Sequence, residues 1–260
     1  MKRKLLIIFS FITVVYSCSN DEPINSQDTT FINKALNRQT TGSSANDLLS
    51  DDKFTSMIIE LVYVEGYAPD PATETNFLNL LQQRIYKPGG ITVEKRSIPS
   101  PGKDVYTIQD IAQIERDNRQ YYNDGDTIAV WAYFSDGKSD SDSSDNRTVI
   151  LGTAYWNTSF VIYEKTLQSF SGGNFEPSQT LLESTVIFHE FGHIFGLVNL
   201  GSSMQTDHED LEHPKHCTVD TCLMYWATES AIGVADFANM NAPPDFDAQC
   251  IADLQANGGK

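Results

Sequence analysis

Two histidines four residues apart, His189 and His193, form the part of the chain best suited to bind a metal ion. They belong to the sequence His-Glu-Phe-Gly-His, and all five histidines of the chain lie between positions 189 and 216. Residues four apart on a helix share one face, so the two imidazoles can bind a single ion. Histidine is the commonest metal-ligating side chain, and zinc suits such a site. The spacing therefore predicts a zinc site on a helix.

Glu190 carries a carboxylate beside this predicted site. On a helix it lies about 100° round from His189 and about 60° from His193. It can therefore reach a zinc-bound water without being a ligand. Zinc with an open position lowers the pKa of a bound water to about 7 and polarises a carbonyl group. The expected chemistry is hydrolysis, in which Glu190 takes a proton from the attacking water and passes it to the leaving amine.

Two glycines, Gly192 and Gly196, lie in or at the end of this predicted helix. A glycine inside a helix destabilises it by about 1 kcal/mol relative to alanine, so a structural or functional role for these glycines is expected. The pattern His-Glu-x-x-His-x-x-Gly resembles the active-site helix of the metzincin zinc peptidases. In that family the helix stops at the glycine, here Gly196, and the chain turns to bring in a third ligand; ordinary helix capping is compatible with that role. The ligand usually lies three residues later, where this chain has Asn199, a poor zinc ligand.

A later stretch, His216 to Met224, supplies an alternative third ligand. It reads His-Cys-Thr-Val-Asp-Thr-Cys-Leu-Met and is similar to the H-C-x4-C-x-M stretch of archaemetzincins. The resemblance implies that His216 is the third zinc ligand and that Met224 forms the Met-turn of the family. It also implies an insertion between Asn199 and His216, and leishmanolysin-like metzincins carry an insertion at this point.

Other residues of the insertion are competing candidates for the third ligand. His208 lies in the loop after the helix, and His213 is a further possibility. A gluzincin-like site would use Glu209 or Glu212, but no second helix with a suitable acidic pair is evident. The predicted ligands are therefore the two helix histidines and His216, with His208 as the main alternative.

The cysteines near this stretch depart from the archaemetzincin pattern. That family has a later C-x-x-C pair, whereas here Cys250 alone follows Cys217 and Cys222. The departure argues against the structural second zinc of the family and favours a disulfide between Cys217 and Cys222. An oxidising compartment is expected to leave one disulfide and one thiol, and spacing alone does not choose the pair.

The amino terminus has the pattern of a lipoprotein export signal. Lys2, Arg3 and Lys4 precede an apolar run over residues 5–16, and Ser17-Cys18 follows. The run is too short to span a bilayer, and a small residue before a cysteine resembles the lipobox at which bacterial lipoproteins are cleaved and acylated. An ordinary secretory signal is the alternative.

A lipid on Cys18 would anchor the chain at the outer membrane or cell surface, to which the acidic pair Asp21-Glu22 points. The net charge of −17 makes nucleic acid an improbable partner and cannot attract anionic lipid. We expect a signal peptide over residues 1–17, a flexible tether rich in small polar residues over 18–50, and a peptidase domain over 51–260.

Hydrophobic patterning predicts an α+β fold with strands and helices in alternation, and the resemblance to metzincins implies that this fold is metzincin-like. The amino-terminal lobe, residues 51–198, is expected to hold a mixed twisted sheet with helices. The carboxy-terminal lobe, residues 199–260, is expected to be small and irregular and to end in a helix. Predicted strands are 54–64, 91–98, 127–134, 149–155 and 159–163, and predicted helices are 73–86, 107–122, 177–197 and 245–254.

A polar loop over residues 135–146 carries four acidic side chains. Asp136, Asp140, Asp142 and Asp145 could hold a structural calcium ion, but the loop lacks the spacing and closing glutamate of an EF-hand. A solvated loop is the alternative.

The predicted function is that of a zinc-dependent endopeptidase that hydrolyses peptide bonds of extracellular or envelope proteins. One alternative is a catalytically silent zinc-binding surface lipoprotein that binds a protein partner. The presence of Glu190 argues against it, because a binding module needs no base. A hydrolase of other amides is a third possibility, since the same site could cleave them.

Overall fold

A five-stranded sheet forms the centre of the computed structural model, which describes residues 32–143 and 149–260. Its five strands are β1 (Ser56–Val64), β2 (Gly90–Ile98), β4 (Thr127–Phe134), β6 (Gly152–Trp156) and β7 (Ser159–Ile162). They lie in the order β2-β1-β4-β7-β6, and all neighbours are parallel except β6, which runs antiparallel to β7 at one edge. Two short strands, β3 (Val105–Tyr106) and β5 (Lys138–Ser139), pair separately. The mixed sheet agrees with the prediction.

Helices follow the strands in the alternation that the sequence predicts. They are α1 (Ala45–Leu49), α2 (Pro71–Arg84), α3 (Ile108–Asn118), α4 (Glu164–Gln168), α5 (Gln179–Ile194), α6 (Val234–Phe237) and α7 (Ala248–Ala256). Two 3-10 turns, Lys34–Asn37 and Trp226–Glu229, are added to these. A capping box begins α3: Asp110 N donates to Thr107 Oγ1 at 3.1 Å, and Thr107 N donates to Asp110 Oδ2 at 3.0 Å.

The helices cover both faces of the sheet. On one face α2 and α5 pack together through aromatic rings, with Phe77 and Phe191 centroids 5.0 Å apart. On the other face Ile111 of α3 joins a cluster with Trp131 and Tyr133 of β4. Strand β4 is therefore buried on both sides, as its continuous apolar sequence requires.

Helix α5 is buried from Leu181 to Ile194, so it passes through the interior. Its start is capped by the Ser178 hydroxyl, which accepts from Leu181 N at 3.2 Å. It ends at Ile194, and the chain turns away at Gly196, whose φ of 74° lies in the left-handed region and where a Cβ atom would lie 2.6 Å from Ser202 N. Glycine is thus required where the chain leaves the helix.

Residues 34–49, which the sequence analysis assigned to a tether, are folded. Leu48 and Leu49 of α1 are fully buried, and the Asn37 amide donates to the Ala129 carbonyl at 3.0 Å. The tether prediction therefore does not hold for these residues, because their few apolar groups and polar amides find partners in the main body. Residues 32–260 form one compact unit. The predicted signal peptide and Cys18 lie outside the described residues.

The part after Gly201 is mostly irregular and ends in α7, as expected of the smaller lobe. No helix among the described residues is long and apolar enough to cross a membrane.

Candidate metal centre

Three imidazoles and one carboxylate converge beneath a cleft. His189, His193, His216 and Glu229 each offer a ligand atom, and these atoms all lie within 4.8 Å of one another. The first two come from α5, the third from the loop after the insertion, and Glu229 from the 3-10 turn Trp226–Glu229. The structure thus brings together the three histidines that the sequence predicts as ligands.

The helix histidines are buried and oriented for binding. His189 Nδ1 lies 2.7 Å from the Leu223 carbonyl oxygen, so Nδ1 carries the proton and leaves Nε2 as a free acceptor. That Nε2 atom is buried without a hydrogen-bond partner among the described residues. Burial lowers the pKa of His193 to about 4, so its ring is neutral at neutral pH. A neutral imidazole is the form that binds a metal.

His216 reaches the cluster because its loop is tied back on itself. The Asp210 amide donates to the His216 carbonyl at 2.8 Å, and the Cys217 amide donates to the Met224 carbonyl at 2.8 Å. Lys215, just before it, has φ 73° and completes the turn. Both ring nitrogens of His216 are buried without a hydrogen-bond partner among the described residues.

The competing candidates lie elsewhere. His208 Nε2 is 2.9 Å from Asp253 Oδ2, in a different cluster, and His213 stacks on Trp226 with ring centroids 4.1 Å apart. Asn199 donates to Glu209 Oε2 at 3.0 Å, so both side chains hold the insertion in place.

Glu190 lies beside the three imidazoles with its carboxylate buried. Neither oxygen has a hydrogen-bond partner among the described residues. Burial, and after it the negative charge of Glu229, raises the pKa of Glu190 well above its ordinary value. Gly152 of β6 packs directly against this carboxylate.

Glu229 is the member of the cluster that the sequence analysis missed. Its Oε2 lies 3.6 Å from His189 Nε2 and 3.8 Å from His193 Nε2, and its Oε1 lies 3.6 Å from His216 Nε2. Burial acts to raise its pKa, but the three imidazoles outweigh burial and hold the pKa well below the ordinary value. Glu229 lies in an irregular part of the chain and belongs to no periodic pattern or motif, so nothing in the sequence marked it as a candidate ligand.

Met224 lies directly under α5 at Gly192. A Cβ atom at Gly192 would be 2.3 Å from Met224 Sδ, and Met224 is fully buried. Close packing against Met224 therefore explains the glycine inside the helix, because a side chain at Gly192 would displace the methionine. This placement beneath the histidine helix is compatible with a Met-turn.

A small cleft opens above the cluster. Its walls come from three separate parts of the chain: Thr41 near the start of the described residues, Thr153 and Ala154 of edge strand β6, and Lys215 of the insertion. His193, Glu190 and Glu229 face it from below. The cluster is thus accessible from outside along the edge of the sheet.

A second cluster gathers the three cysteines of the described residues around His208. Cys217, Cys222 and Cys250 are free thiols, so the expected Cys217–Cys222 disulfide is absent from the structure. Cys222 Sγ lies 3.6 Å from Cys250 Sγ, and Cys217 Sγ lies 3.4 Å from His208 Nδ1. The sulfur atoms therefore lie close to one another and to an imidazole.

Helix α7 and its cap complete this second cluster. Asp247 Oδ2 lies 3.7 Å from Cys217 Sγ, while its Oδ1 accepts from Cys250 N at 2.8 Å. Interactions with Cys222, Cys250 and His208 hold the pKa of Cys217 far below its ordinary value. Asp253 orients the far nitrogen of His208, as carboxylates commonly do for metal-binding histidines.

The acidic loop after β4 does not form a comparable group among the described residues. Asp136 accepts from the Tyr106 hydroxyl at 2.9 Å, and Asp142 accepts from Ile150 N at 2.9 Å. Asp145 lies outside the described residues, so the calcium site remains a prediction.

Comparisons with known proteins agree with the fold. No family model matches the chain, and no curated protein matches it in sequence. Among solved structures, archaemetzincin (amzA) from Methanopyrus kandleri matches with a TM-score of 0.51 and 16% identity, over 78% of this chain and 96% of that chain. A zinc-dependent peptidase from Methanocorpusculum labreanum matches with a TM-score of 0.49 and 14% identity, over 75% of this chain and 99% of that chain. The chain is therefore similar in fold to archaemetzincin.

Proposed function

We propose that this protein is a zinc-dependent endopeptidase with His189, His193 and His216 as zinc ligands and Glu190 as the proton-transferring base. The observation that carries the proposal is the convergence of three imidazoles, two of them buried and that of His216 partly buried, at ligand-atom separations within 4.8 Å, beside a buried carboxylate. The likeness in fold to archaemetzincin is consistent with this proposal.

The buried polar atoms of the site fit a metal ion. Nε2 of His189 and of His216 and both oxygens of Glu190 are buried without hydrogen-bond partners among the described residues. An unsatisfied buried polar atom costs about 1–3 kcal/mol, so four of them at one point call for a ligand. Three nitrogen donors with one position left over are the ligand set of a catalytic zinc ion.

When bound, zinc would act as a Lewis acid that activates a water molecule and polarises the scissile carbonyl. Glu190 would accept the proton of the attacking water and return it to the leaving amine. Its placement on α5, one residue after His189, keeps it beside the ion without occupying a ligand position. Leu223 would hold the His189 ring in the tautomer that leaves Nε2 free.

The cleft favours an extended peptide as substrate. Thr153 and Ala154 of the edge strand β6 line it, and an exposed strand edge can pair with a peptide backbone. Backbone pairing would select for unfolded or extended segments rather than for particular side chains. We therefore expect cleavage of flexible regions of extracellular or envelope proteins, reached by a chain anchored through lipid on Cys18.

We also propose a second, structural zinc ion in the cysteine cluster, in place of the expected disulfide. His208, Cys217, Asp247 and Cys250 each offer a ligand atom, and these atoms all lie within 4.8 Å of one another. Cys222 Sγ lies 3.6 Å from Cys250 Sγ, so a further thiol adjoins this nitrogen, sulfur and oxygen donor set, whose donor types are those that bind zinc. Such an ion would tie α7 to the loop that carries His216. It would thereby hold the third ligand of the first site in position.

The deciding experiment compares Glu190→Ala with the wild-type protein. We expect the variant to retain zinc while its turnover of unfolded casein falls by a factor of about 100 or more. Glu212→Ala, which removes an exposed carboxylate of the insertion, serves as the matched control and should remain active. Undiminished turnover in zinc-loaded Glu190→Ala would refute the mechanism. A wild-type protein that binds zinc but cleaves no peptide would favour the silent binding lipoprotein.

A further inference from the structure

We propose that Glu229 is an exchangeable fourth ligand that caps the metal in the resting protein. The inference rests on the proposed zinc site and concerns the regulation of that site. In this arrangement the carboxylate occupies the position that water or substrate must enter. Hydrolysis then requires Glu229 to leave the ion.

The distances around Glu229 are those of ligands that share an ion. Its two oxygens lie 3.6, 3.8 and 3.6 Å from the Nε2 atoms of His189, His193 and His216. These separations exceed the range of about 2.7–3.2 Å for N–H···O hydrogen bonds. Ligands about 2.0–2.2 Å from a tetrahedral ion lie about 3.3–3.6 Å from one another. The separations from His189 and His216 fall in that range and the one from His193, 3.8 Å, lies just beyond it, with Oε2 facing the two helix histidines and Oε1 facing His216. The carboxylate is therefore spaced close to a fourth corner and not as a hydrogen-bond partner.

The backbone of Glu229 is fixed while its side chain faces the opening of the cleft. Its carbonyl accepts from Leu151 N at 2.8 Å, and the neighbouring Ser230 forms a β-bridge with Ile150. The side chain is 24% exposed, whereas that of His189 is fully buried. Since its backbone is anchored to the sheet, rotation of the side chain alone can bring the carboxylate to the ion or move it toward solvent.

A fourth protein ligand would limit the access of water and substrate to the zinc ion. A zinc ion held by three imidazoles and a carboxylate has the closed set typical of structural sites, whereas a catalytic site keeps one position open. Glu190 is the base and leaves the capping position to Glu229. A substrate carbonyl must therefore compete with the Glu229 carboxylate, so weak ligands are excluded and well-positioned peptides are admitted.

The test measures access to the metal directly. Zinc in the full-length protein is replaced by cobalt(II), and acetohydroxamate is titrated while the visible absorption of the cobalt is followed. Glu229→Ala and Glu229→Gln should bind acetohydroxamate at least about tenfold more tightly than wild type, because the competing carboxylate is gone. The zinc affinity of the histidine cluster should fall at least about tenfold, because losing a residue that only orients a metal ligand already costs about 10- to 100-fold. Glu212→Gln, with the same change of charge outside the cluster, should match wild type.

The outcomes separate this inference from the proposed function. Wild-type affinities for zinc and acetohydroxamate in both Glu229 variants would overturn the capping role and leave the zinc peptidase intact. A wild-type protein that binds no zinc, or that keeps its full zinc content after His216→Ala, would refute the site itself. Glu229→Gln preserves the size of the side chain, so it provides the answer if Glu229→Ala fails to fold.

Discussion

Gly152 lies directly against Glu190: a Cβ atom at Gly152 would be 2.6 Å from Glu190 Oε1 and 2.7 Å from Val186 Cγ1. The edge strand thus determines where the proposed base sits. Gly152→Ala should push the carboxylate aside and lower turnover at least about tenfold, since small displacements of reacting groups are costly. Zinc content should be unchanged, because neither atom is a ligand.

The matched control for this change is Gly173→Ala. There the nearest atoms belong to the end of the exposed Glu176 side chain, which can move away. Turnover and zinc content are measured on both variants. Equal activity in Gly152→Ala and wild type would show that the base does not depend on the edge strand.

The two histidine clusters predict different effects of removing one imidazole. We expect two zinc ions per chain in the wild type and one in either His208→Ala or His216→Ala. Turnover should be abolished in His216→Ala, which loses a ligand of the proposed active site. His208→Ala should keep its active-site zinc, provided that the fold survives.

Metal analysis, turnover and thermal unfolding are measured together on these variants. His213→Ala is the control, because its ring stacks on Trp226 outside both clusters. If His208→Ala lost activity and active-site zinc while His216→Ala kept both, the ligand assignment would be reversed.

The cysteine cluster predicts how many thiols react. Without any reductant, denatured protein treated with a chelator should expose all three thiols of Cys217, Cys222 and Cys250, because no disulfide joins them. The native protein should react slowly, since all three are buried. The measurement is a thiol titration before and after chelation. A single reactive thiol in the denatured protein would restore the disulfide prediction.

A pair of buried carboxyl groups, Glu164 at the start of α4 and Glu183 in α5, predicts a pH dependence of stability. Burial, and after it the negative charge of Glu183, raises the pKa of Glu164 from 4.5 to about 9. Between these values the group is protonated in the folded protein and ionised in the unfolded chain, so unfolding releases a proton and stability falls as pH rises.

Glu164→Gln should remove this loss, because an amide does not ionise. Its free energy of unfolding relative to wild type should therefore increase as the pH rises from about 5 to about 9. Urea unfolding at several pH values measures the difference, and Glu212→Gln controls for net charge. A difference that does not change with pH would contradict the raised pKa.

Membrane attachment should depend on Cys18. The basic residues, apolar run and Ser17-Cys18 pair predict acylation of this cysteine, and the net charge of −17 opposes adhesion to anionic lipid. Cys18→Ala should lose fatty-acid labelling and membrane association when expressed in bacteria. Continued labelling of the variant would show that the lipobox interpretation is wrong.

Features that depend on local interactions along the chain could be predicted from the sequence. The apolar periodicity of α5, its left-handed glycine at Gly196 and the capping box at Thr107 all depend on residues within a few positions of one another. The strands around β1 and β4 are similarly marked by continuous apolar runs. The pair His189 and His193 follows from helical geometry alone, and so does the position of Glu190 beside it.

Contacts between distant parts of the chain were decided by the tertiary structure. Spacing could not choose between His208 and His216, because the choice depends on how the insertion folds back and on Asp253, far along the chain. Glu229 joins the site because it and Ser230 pair with Leu151 and Ile150, just before β6, a contact that no periodicity encodes. Cys250 meets Cys222 because α7 packs beneath the loop. Residues 34–49 have the composition of a polar tether, but in the structure their amides form hydrogen bonds with the rest of the domain and their leucines are buried in it. These features depend on long-range packing, which a linear pattern does not specify.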